Sequence, residues 1–439
     1  MLGQDSMGRR PLKLAIRWVY PDPASSLTIL PDESVLLGRD VSCQVQLPGT
    51  SISRQHAEIH REGRSHMLRD LGSRNGLFLN GKRTNQAILV PDHLIRLGEW
   101  IGVVIAVPIE QDDDPAPVFE TFAEGLVGGP HLRAIVERAR AAATYPVPMV
   151  LIGESGTEKD SLARAMHDWS GRQGPFIAVN CEALAPEQAE AEIFGFRRGV
   201  FRNAGGDHTG FMRAAQGGTL VLNEITALPD PVQAKLLRAL QYQEILPVGE
   251  PVPVKIDVRV LATSEIPLDR AVARQRLRPD LRARLDGQTI QLPALRERKQ
   301  DITFLFWNYL YGFTGGYPPA ADTRLIERLC LHEWPYNVRE LELLARRLWL
   351  QHGREDYLRC SYLPKAILQD MSTPAPPRGE PPRDRRSPRI ASPVQRSRVI
   401  RNTRTSSTAP TPHPRIHCLT DTIGPTTDET PMVTRFGRE

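Results

Sequence analysis

The chain has 439 residues, 40% hydrophobic and 24% charged, which is enough for two or three folded domains. It contains no apolar run of about 18 residues, and no apolar stretch follows its first basic residues, which argues against a membrane span or a secretory signal. The five cysteines (Cys43, Cys181, Cys330, Cys360 and Cys418) are dispersed without metal-ligand spacing, as is typical of reduced thiols. We therefore expect a cytoplasmic protein with no membrane partner.

The formal net charge of +5 is concentrated towards the carboxyl-terminal end. From Met371 onward the chain has twelve arginines, no lysine and six acidic residues, so this segment carries +6 and the first 370 residues about −1. Any attraction for a nucleic-acid backbone would come from this segment, because the folded body is close to neutral. Direct DNA binding is therefore not evident.

Residues 12–107 contain short apolar runs (KLAIRWVY, ESVLLG, CQVQL, HAEIH and EWIGVVIAV) separated by polar or glycine-containing turns. This pattern predicts an antiparallel β-sandwich. The acidic, proline-containing segment EQDDDPAP follows, and it predicts a linker over residues 108–126.

From residue 127 to 300, nearly all-apolar strands (PMVLIG, FIAVN, GTLVLNEI and VRVLATS) alternate with helical segments. This alternation predicts an α/β core with a parallel sheet covered on both faces. Residues 301–370 are predicted to form a small helical lid. Residues 371–439 contain twelve prolines and few large apolar side chains, so we predict disorder, although an altered reading frame would give the same composition.

Four short motifs follow one another in the predicted sandwich: Gly38-Arg39, SISRQH (51–56), GSRNG (72–76) and Asn80-Gly81. Arginine side chains bind phosphate oxygens in bidentate fashion, and a serine hydroxyl adds a donor. In this order the motifs resemble those of the forkhead-associated (FHA) domain. The resemblance implies that Arg39, Ser53 and Arg54 hold the phosphate of a phosphothreonine.

The same resemblance implies that Asn75 holds the peptide backbone and that His56 stabilises the loops. Arg74 is a further binding candidate, although it could be a solvated surface charge. Gly76, Asn80 and Gly81 are interpreted as turn residues. The implied partner is a phosphothreonine-containing protein, either a Ser/Thr kinase or its substrate.

Five further motifs occur in order in the second half: GESGTEKD (153–160), VNC (179–181), GGTLVLNEI (217–225), LRPDLRARLDGQTIQLPALRERKQDI (277–302) and WPYNVREL (334–341). The first follows an apolar strand and precedes a helix, which is the setting of a phosphate-binding loop. Together they resemble the sigma-54 activator branch of the AAA+ ATPases. The resemblance implies ATP and Mg²⁺ as cofactors, assembly into a homo-oligomeric ring, and sigma-54 RNA polymerase as a partner in transcription regulation.

This resemblance also assigns roles to individual residues. ATP binding is implied for Gly153, Ser155, Gly156, Thr157, Lys159, Asp160, Asn223 and Arg339. Glu224 is expected to orient the attacking water, and Asn180 matches a switch asparagine, although Asn180 could be an ordinary strand-end cap. Arg278 and Arg284 match arginine fingers that act on a neighbouring subunit, although they could be helix-surface charges.

The second module departs from the family pattern at four places. Glu158 replaces the last loop glycine, where a left-handed conformation costs ~1–2 kcal/mol. A carboxylate ~4 Å from a phosphate adds repulsion of ~4 kcal/mol, so we expect nucleotide binding to be weakened by ~10³-fold. Asn223 replaces the Walker B aspartate and is a weaker Mg²⁺ ligand. At sensor I the family's Thr-Asn is Ser264-Glu265, and the sigma-54-contacting loop GAFTGA is GVFRNA (199–204).

Two hypotheses follow. The chain is either a sigma-54-type transcriptional regulator whose FHA domain reads phosphothreonine and controls an ATPase, or a pseudo-ATPase. In the second case it is a phosphorylation-dependent scaffold that neither hydrolyses ATP nor binds DNA directly. No separate metal site is predicted.

Overall fold

The computed structural model describes residues 12–21, 27–30, 33–108, 119–200, 206–285, 287–314 and 318–369. The segment 371–439, which we predicted to be disordered, lies outside the described residues. So does 109–118, the first part of the predicted linker.

The amino-terminal region folds as a sandwich of two sheets, which confirms the prediction. Strand neighbours are antiparallel except β3 and β4, which are parallel. One sheet has the order β2-β1-β11-β10-β7-β8 and the other β4-β3-β5-β6-β9. Trp18 and Trp100 meet edge to face in the core, with 5.8 Å between ring centroids. The strands are β1 (Leu12–Tyr20), β2 (Leu27–Ile29), β3 (Val35–Gly38), β4 (Val45–Gln46), β5 (Ala57–Glu62), β6 (Ser65–Asp70), β7 (Leu77–Leu79), β8 (Lys82–Thr84), β9 (Gln86–Leu89), β10 (Leu94–Leu97) and β11 (Trp100–Pro108).

The second half of the predicted linker is a β-hairpin, which differs from the prediction. Its strands are β12 (Glu120–Ala123) and β13 (Leu126–Gly128). The hairpin forms because apolar residues return after the acidic segment: Phe119 stacks on Phe304 with 4.1 Å between ring centroids, and Leu126 is fully buried. The hairpin therefore belongs to the ATPase-like region.

A five-stranded, all-parallel sheet forms the centre of the second region and confirms the predicted α/β fold. Its order is β15-β16-β19-β14-β20, and apolar side chains on both faces are buried under helices. The strands are β14 (Met149–Ile152), β15 (Phe176–Asn180), β16 (Thr219–Asn223), β19 (Arg259–Ser264) and β20 (Thr289–Gln291), with a peripheral pair β17 (Glu244–Ile245) and β18 (Val254–Lys255). The helices are α1 (Pro130–Ala143), α2 (Lys159–Trp169), α3 (Ala189–Phe194), α4 (Gly210–Ala214), α5 (Asp230–Tyr242), α6 (Leu268–Ala273) and α7 (Pro279–Leu285).

A helical lid follows the α/β core, also as predicted. It consists of α8 (Lys299–Thr314), α9 (Thr323–Leu331), α10 (Asn337–His352) and α11 (Lys365–Gln369), with the short parallel pair β21 (Ala320–Ala321) and β22 (Tyr357–Leu358). Asp322 caps α9, since its side chain accepts a hydrogen bond from the backbone N–H of Arg324 at 3.0 Å. Trp334 is fully buried between the helices.

The sandwich packs directly on the lid, which the sequence patterns did not predict. Val19, Leu94, Ile101 and Val103 of the sandwich belong to the same buried cluster as the apolar faces of α8, α9 and α10. Polar contacts border this cluster: the Tyr20 hydroxyl donates to the Ala321 carbonyl at 2.7 Å. These sandwich residues therefore belong to the apolar core of the lid, while the interior of the sandwich forms a separate cluster.

No helix within the described ranges is long and apolar enough to cross a membrane. Four cysteines, Cys43, Cys181, Cys330 and Cys360, are free thiols. Cys418 lies outside the described residues.

Candidate functional site

Three loops at one end of the sandwich bring together the residues predicted to bind phosphopeptide. The backbone N–H of Arg39 donates to the Ser53 carbonyl at 3.1 Å, and the backbone N–H of Arg74 donates to the Ser53 hydroxyl at 3.1 Å. The Asn75 amide donates to the Ser51 carbonyl at 2.6 Å. The side chains of Arg39, Arg54, Arg74 and Asn75 are exposed on this surface.

The ring of His56 is buried beneath this surface and connects two of these loops through its two nitrogens. Its Nδ1 accepts from the backbone N–H of Ser53 at 3.2 Å, and its Nε2 lies 3.3 Å from the carbonyl of Gly76. Burial lowers the pKa of His56, so the ring is neutral. The neutral tautomer with a proton on Nε2 satisfies both contacts.

The cations of this surface are available to an anion. In the described part of the chain, no carboxylate lies at ion-pair distance from Arg39, Arg54 or Arg74. The pKa of the neighbouring Asp40 is lowered, first by the hydrogen bond from Ser42 and further by Arg54 and Arg39. The surface therefore presents guanidinium groups that make no direct ion pair with a described carboxylate, beside a serine hydroxyl, the donor set that binds phosphate.

The α/β core and the lid enclose a second site, a cleft of about 690 Å³ at the carboxyl edge of the parallel sheet. Eight of the residues predicted from the ATPase motifs line it: Ser155, Gly156, Lys159, Asp160, Asn180, Asn223, Glu224 and Arg339. Seven further lining residues were not singled out from the sequence: Gly125, Ser161, Glu182, Thr263, Tyr309, Val338 and Glu342. Thr263 lies near the end of the buried strand β19, a signal that could have identified it. Tyr309 and Glu342 come from lid helices and have no local signature.

The loop from 153 to 160 has the backbone of a phosphate-binding loop. Gly156 has φ of 76°, and a Cβ atom there would collide with the carbonyl oxygen of Tyr336, so only glycine fits. The Lys159 ammonium donates to the Gly153 carbonyl at 2.7 Å and lies 3.4 Å from Oε1 of Glu224. Thr157 is buried and its hydroxyl donates to the Glu154 carbonyl, so this side chain supports the loop from within.

Glu158 adopts the expected left-handed conformation, with φ of 71°. Its carboxylate, however, is buried and lies 3.1 Å from Nη2 of Arg298, a guanidinium that is only 1% exposed. Burial raises the pKa of Glu158 to about 7, and Arg298 opposes this shift. The carboxyl group of Glu158 thus lines the cleft and also contacts Arg298, and the expected weakening of nucleotide binding stays a prediction.

Asn223 and Asp160 meet at the floor of the cleft. The Asn223 amide nitrogen donates to Oδ1 of Asp160 at 2.7 Å. The amide oxygen of Asn223 is buried without a hydrogen-bond partner. An unpartnered amide oxygen beside a carboxylate provides oxygen donors of the kind that Mg²⁺ accepts, so these residues fit the ion implied by the family.

Glu224 is positioned by the strand β19. Its backbone N–H donates to the Thr263 hydroxyl at 3.0 Å, and its carboxylate accepts from the backbone N–H of Glu265 at 3.0 Å. Burial raises the pKa of Glu224, and the Lys159 charge opposes this. Ser264 of the sensor I pair is buried and its hydroxyl donates to the Ile266 carbonyl, whereas Thr263 and Glu265 line the cleft.

The remaining residues predicted from the ATPase motifs do not all lie at the cleft. Arg339 points to the loop, with Nη1 3.4 Å from the Ser155 hydroxyl, and Asn180 accepts from the backbone N–H of Glu182 at 3.1 Å. Arg278 pairs with Asp230 and Asp280, and Arg284 donates to the Leu240 carbonyl. Neither arginine is among the residues that line the cleft. In GVFRNA, Phe201, Arg202, Asn203 and Ala204 lie outside the described residues.

Comparisons with known proteins agree with this architecture. Residues 127–291 match the Sigma-54 interaction domain, residues 35–98 the FHA domain and residues 296–379 the AAA+ ATPase lid domain. Over 250 residues, the chain is 39% identical to the Sigma54-dependent transcriptional activator SfnR of Pseudomonas putida. This alignment covers 54% of this chain and 67% of the relative. Over 262 residues it is 39% identical to the DNA-binding transcriptional regulator NtrC of Bradyrhizobium, covering 59% and 55%.

A solved structure is also similar: NtrX from Brucella abortus in complex with ATP, with 30% identity, a TM-score of 0.51, and coverage of 55% of this chain and 57% of that chain. The fold and the cleft thus define an AAA+ module with its lid, joined to an FHA domain. The chain belongs to the family of sigma-54-dependent transcriptional regulators. It spans about half the length of the curated relatives it matches, between 44% and 60% for the first four.

Proposed function

We propose that this protein is an ATP-hydrolysing, sigma-54-type transcriptional regulator whose FHA domain binds a phosphothreonine partner. One observation carries the proposal: Lys159 and Glu224 lie 3.4 Å apart at the carboxyl edge of the parallel sheet. A cation and a carboxylate at this position are the groups that nucleotide hydrolysis needs, one for the phosphates and one for the attacking water. The similarity to NtrX in complex with ATP supports the same conclusion.

In the proposed mechanism, Lys159 exchanges its contact with the Gly153 carbonyl for a phosphate oxygen of ATP. Backbone N–H groups around Gly156 and the amino terminus of α2 add donors. Asp160 and Asn223 would hold Mg²⁺, which supplies charge neutralisation at the phosphates when bound. Glu224, oriented by Thr263, accepts a hydrogen bond from the attacking water, and Arg339 adds positive charge from the lid.

The arginines Arg278 and Arg284 are proposed to act on the cleft of a neighbouring subunit in a ring. Their position outside their own cleft is compatible with such a role. Regulation of sigma-54 RNA polymerase would be the output of the ring, and the phosphothreonine partner its input.

Asn223 is the observation that favours the second candidate, a pseudo-ATPase scaffold, because an amide replaces a carboxylate at the Mg²⁺ site. The pairing of Glu158 with Arg298 speaks against it, since this pairing offsets the repulsion that would exclude nucleotide. The regulator is therefore the better-supported candidate.

Measuring ATP turnover by the purified chain distinguishes the candidates. We expect turnover by the wild type. If the wild type is inactive and only the double variant Glu158→Gly plus Asn223→Asp turns over ATP, the pseudo-ATPase is correct.

A binding titration tests the FHA role. A phosphothreonine peptide should bind the full chain, and its unphosphorylated form should bind far more weakly. Equal affinity for both peptides would exclude a phosphate-reading function.

A further inference from the structure

The phosphate-facing loops of the sandwich continue into a separate cleft of about 250 Å³. One wall consists of sandwich residues, among them Ser51 and Asn75. The opposite wall is the first turn of the lid helix α9, with Thr323 and Arg324. We refer to this space as the sandwich–lid cleft. It therefore lies between the phosphate-facing loops and the ATPase lid.

The two walls are held together by contacts at the base of this cleft. The Arg96 guanidinium lies 3.7 Å above the centre of the Phe78 ring. Its Nε is 2.9 Å from Oε1 of Glu327 on α9, and the two side chains are only 12% and 9% exposed. Breaking a buried ion pair leaves a charge unpaired at considerable cost, so α9 is fixed against the sandwich.

The sandwich–lid cleft is contiguous with the phosphate-facing loops. Arg74 bonds through its backbone N–H to the Ser53 hydroxyl, and the next residue, Asn75, lines the cleft. Ser51, which accepts from the Asn75 amide, belongs to the same loop as Ser53. An extended peptide advances roughly 3.4 Å per residue. A peptide anchored by its phosphate and by Asn75 therefore places neighbouring residues between sandwich and lid.

The charges around the cleft favour one kind of neighbouring residue. The positive charge of Arg96 is paired with Glu327. The Glu99 carboxylate is a negative charge on the sandwich wall, close to Gly49. Arg324 is exposed, and its backbone N–H donates to the side chain of Asp322. The guanidinium of Arg324 is thus the cation that a passing peptide meets on the lid wall.

We propose that the sandwich–lid cleft is the second half of the partner-binding site, in which Arg324 of the ATPase lid contacts acidic residues flanking the phosphothreonine. This inference rests on the proposed phosphothreonine binding and deepens it. A partner bound in this way touches the sandwich and the lid at once. The lid also supplies Arg339 to the nucleotide cleft, so partner and nucleotide act on the same element.

Three phosphothreonine peptides that differ only in their flanking residues, which are glutamate, alanine or lysine, test the proposal in titrations with the full chain. Arg324→Glu should bind the glutamate-flanked peptide roughly five-fold more weakly than the wild type does. It should bind the lysine-flanked peptide more tightly by a similar factor, and the alanine-flanked peptide almost unchanged. Arg324→Ala should also weaken binding of the glutamate-flanked peptide, but by a smaller factor.

Arg347→Glu is the matched control, because Arg347 is exposed on the same lid but is not among the residues that line the cleft. If Arg324→Glu and Arg347→Glu give the same affinities for all three peptides, the composite site is overturned. Phosphate-dependent binding of the alanine-flanked peptide would then still support the proposed function. If all three peptides bind equally well without their phosphate, both the composite site and the proposed phosphothreonine binding are overturned.

Discussion

The two proposed phosphate-binding sites of this protein differ in how their charges are compensated before a ligand arrives. On the FHA surface, Arg39 and Arg54 are exposed, with no carboxylate at ion-pair distance in the described part of the chain. In the nucleotide cleft, Lys159 lies beside Glu224, and the Glu158 carboxylate pairs with Arg298. The first site is ready to receive an anion, whereas the second must exchange internal partners for the ligand. Preorganised donors lower the cost of binding, so the FHA site depends less on conformational change.

The largest effect is expected from Glu224→Gln. Removing the carboxylate that orients the attacking water should lower ATP turnover by about 10³-fold. ATP binding should persist, because Lys159 then loses an internal competitor for its charge. Turnover and nucleotide affinity should be measured together, with Glu187→Gln as an exposed control. Unchanged turnover in Glu224→Gln would contradict the assignment of this residue.

Arg39→Ala tests the preformed site. Losing a charge-assisted, bidentate contact to phosphate should weaken phosphothreonine-peptide binding by about 100-fold. Arg64→Ala, an exposed arginine of the same sandwich, should leave affinity unchanged. Isothermal titration with the full chain measures both. Similar losses in the two variants would mean that only the general positive charge of the sandwich matters.

Glu158 makes stability depend on pH. Its pKa in the folded protein is about 7, above the ordinary value of 4.5. The protonated form is therefore favoured by folding, and this contribution is complete below pH 4.5 and is lost as pH rises through 7. Relative to Glu158→Gln, the free energy of unfolding of the wild type should fall by about 2 kcal/mol between pH 5 and pH 8. If denaturant unfolding gives the wild type and Glu158→Gln the same dependence of unfolding free energy on pH, the buried carboxyl group does not titrate as predicted.

Asn223→Asp should give the smallest effect. It places a second carboxylate beside Asp160, where the amide now donates a hydrogen bond at 2.7 Å. Without Mg²⁺ the two carboxylates repel, and with Mg²⁺ they form a stronger oxygen site, so affinity for Mg²⁺-ATP should rise about tenfold. The thermal midpoint should become more dependent on Mg²⁺ than in the wild type. A midpoint with unaltered Mg²⁺ dependence would place the ion elsewhere.

The two sites also differ in how much of them could be predicted from the sequence. The FHA residues lie in three short loops, and the order of the strands brings these loops to one end. The phosphate-binding loop could likewise be predicted, because its glycines and Lys159 lie within one short stretch, residues 153–160. Their functional roles remain predictions, although the structure brings the residues together.

The contacts that could not be predicted from the sequence join residues that are distant along the chain. Arg298 lies 140 residues after Glu158, and only the packing of the lid directs the carboxylate towards it. Tyr309 enters the nucleotide cleft from a helix without a motif. The contact of the sandwich with α9 depends on two apolar faces that each look like ordinary core positions.

The shared core of sandwich and lid has a consequence for how the protein is divided in the laboratory. Removing residues 1–108 would expose to water the lid side chains that now pack on Val19, Leu94 and Ile101. Exposed apolar surface of this kind promotes self-association, so the isolated α/β core with its lid should aggregate. Intact protein should instead melt in one cooperative step, in which phosphopeptide and nucleotide each protect the other's domain against heat.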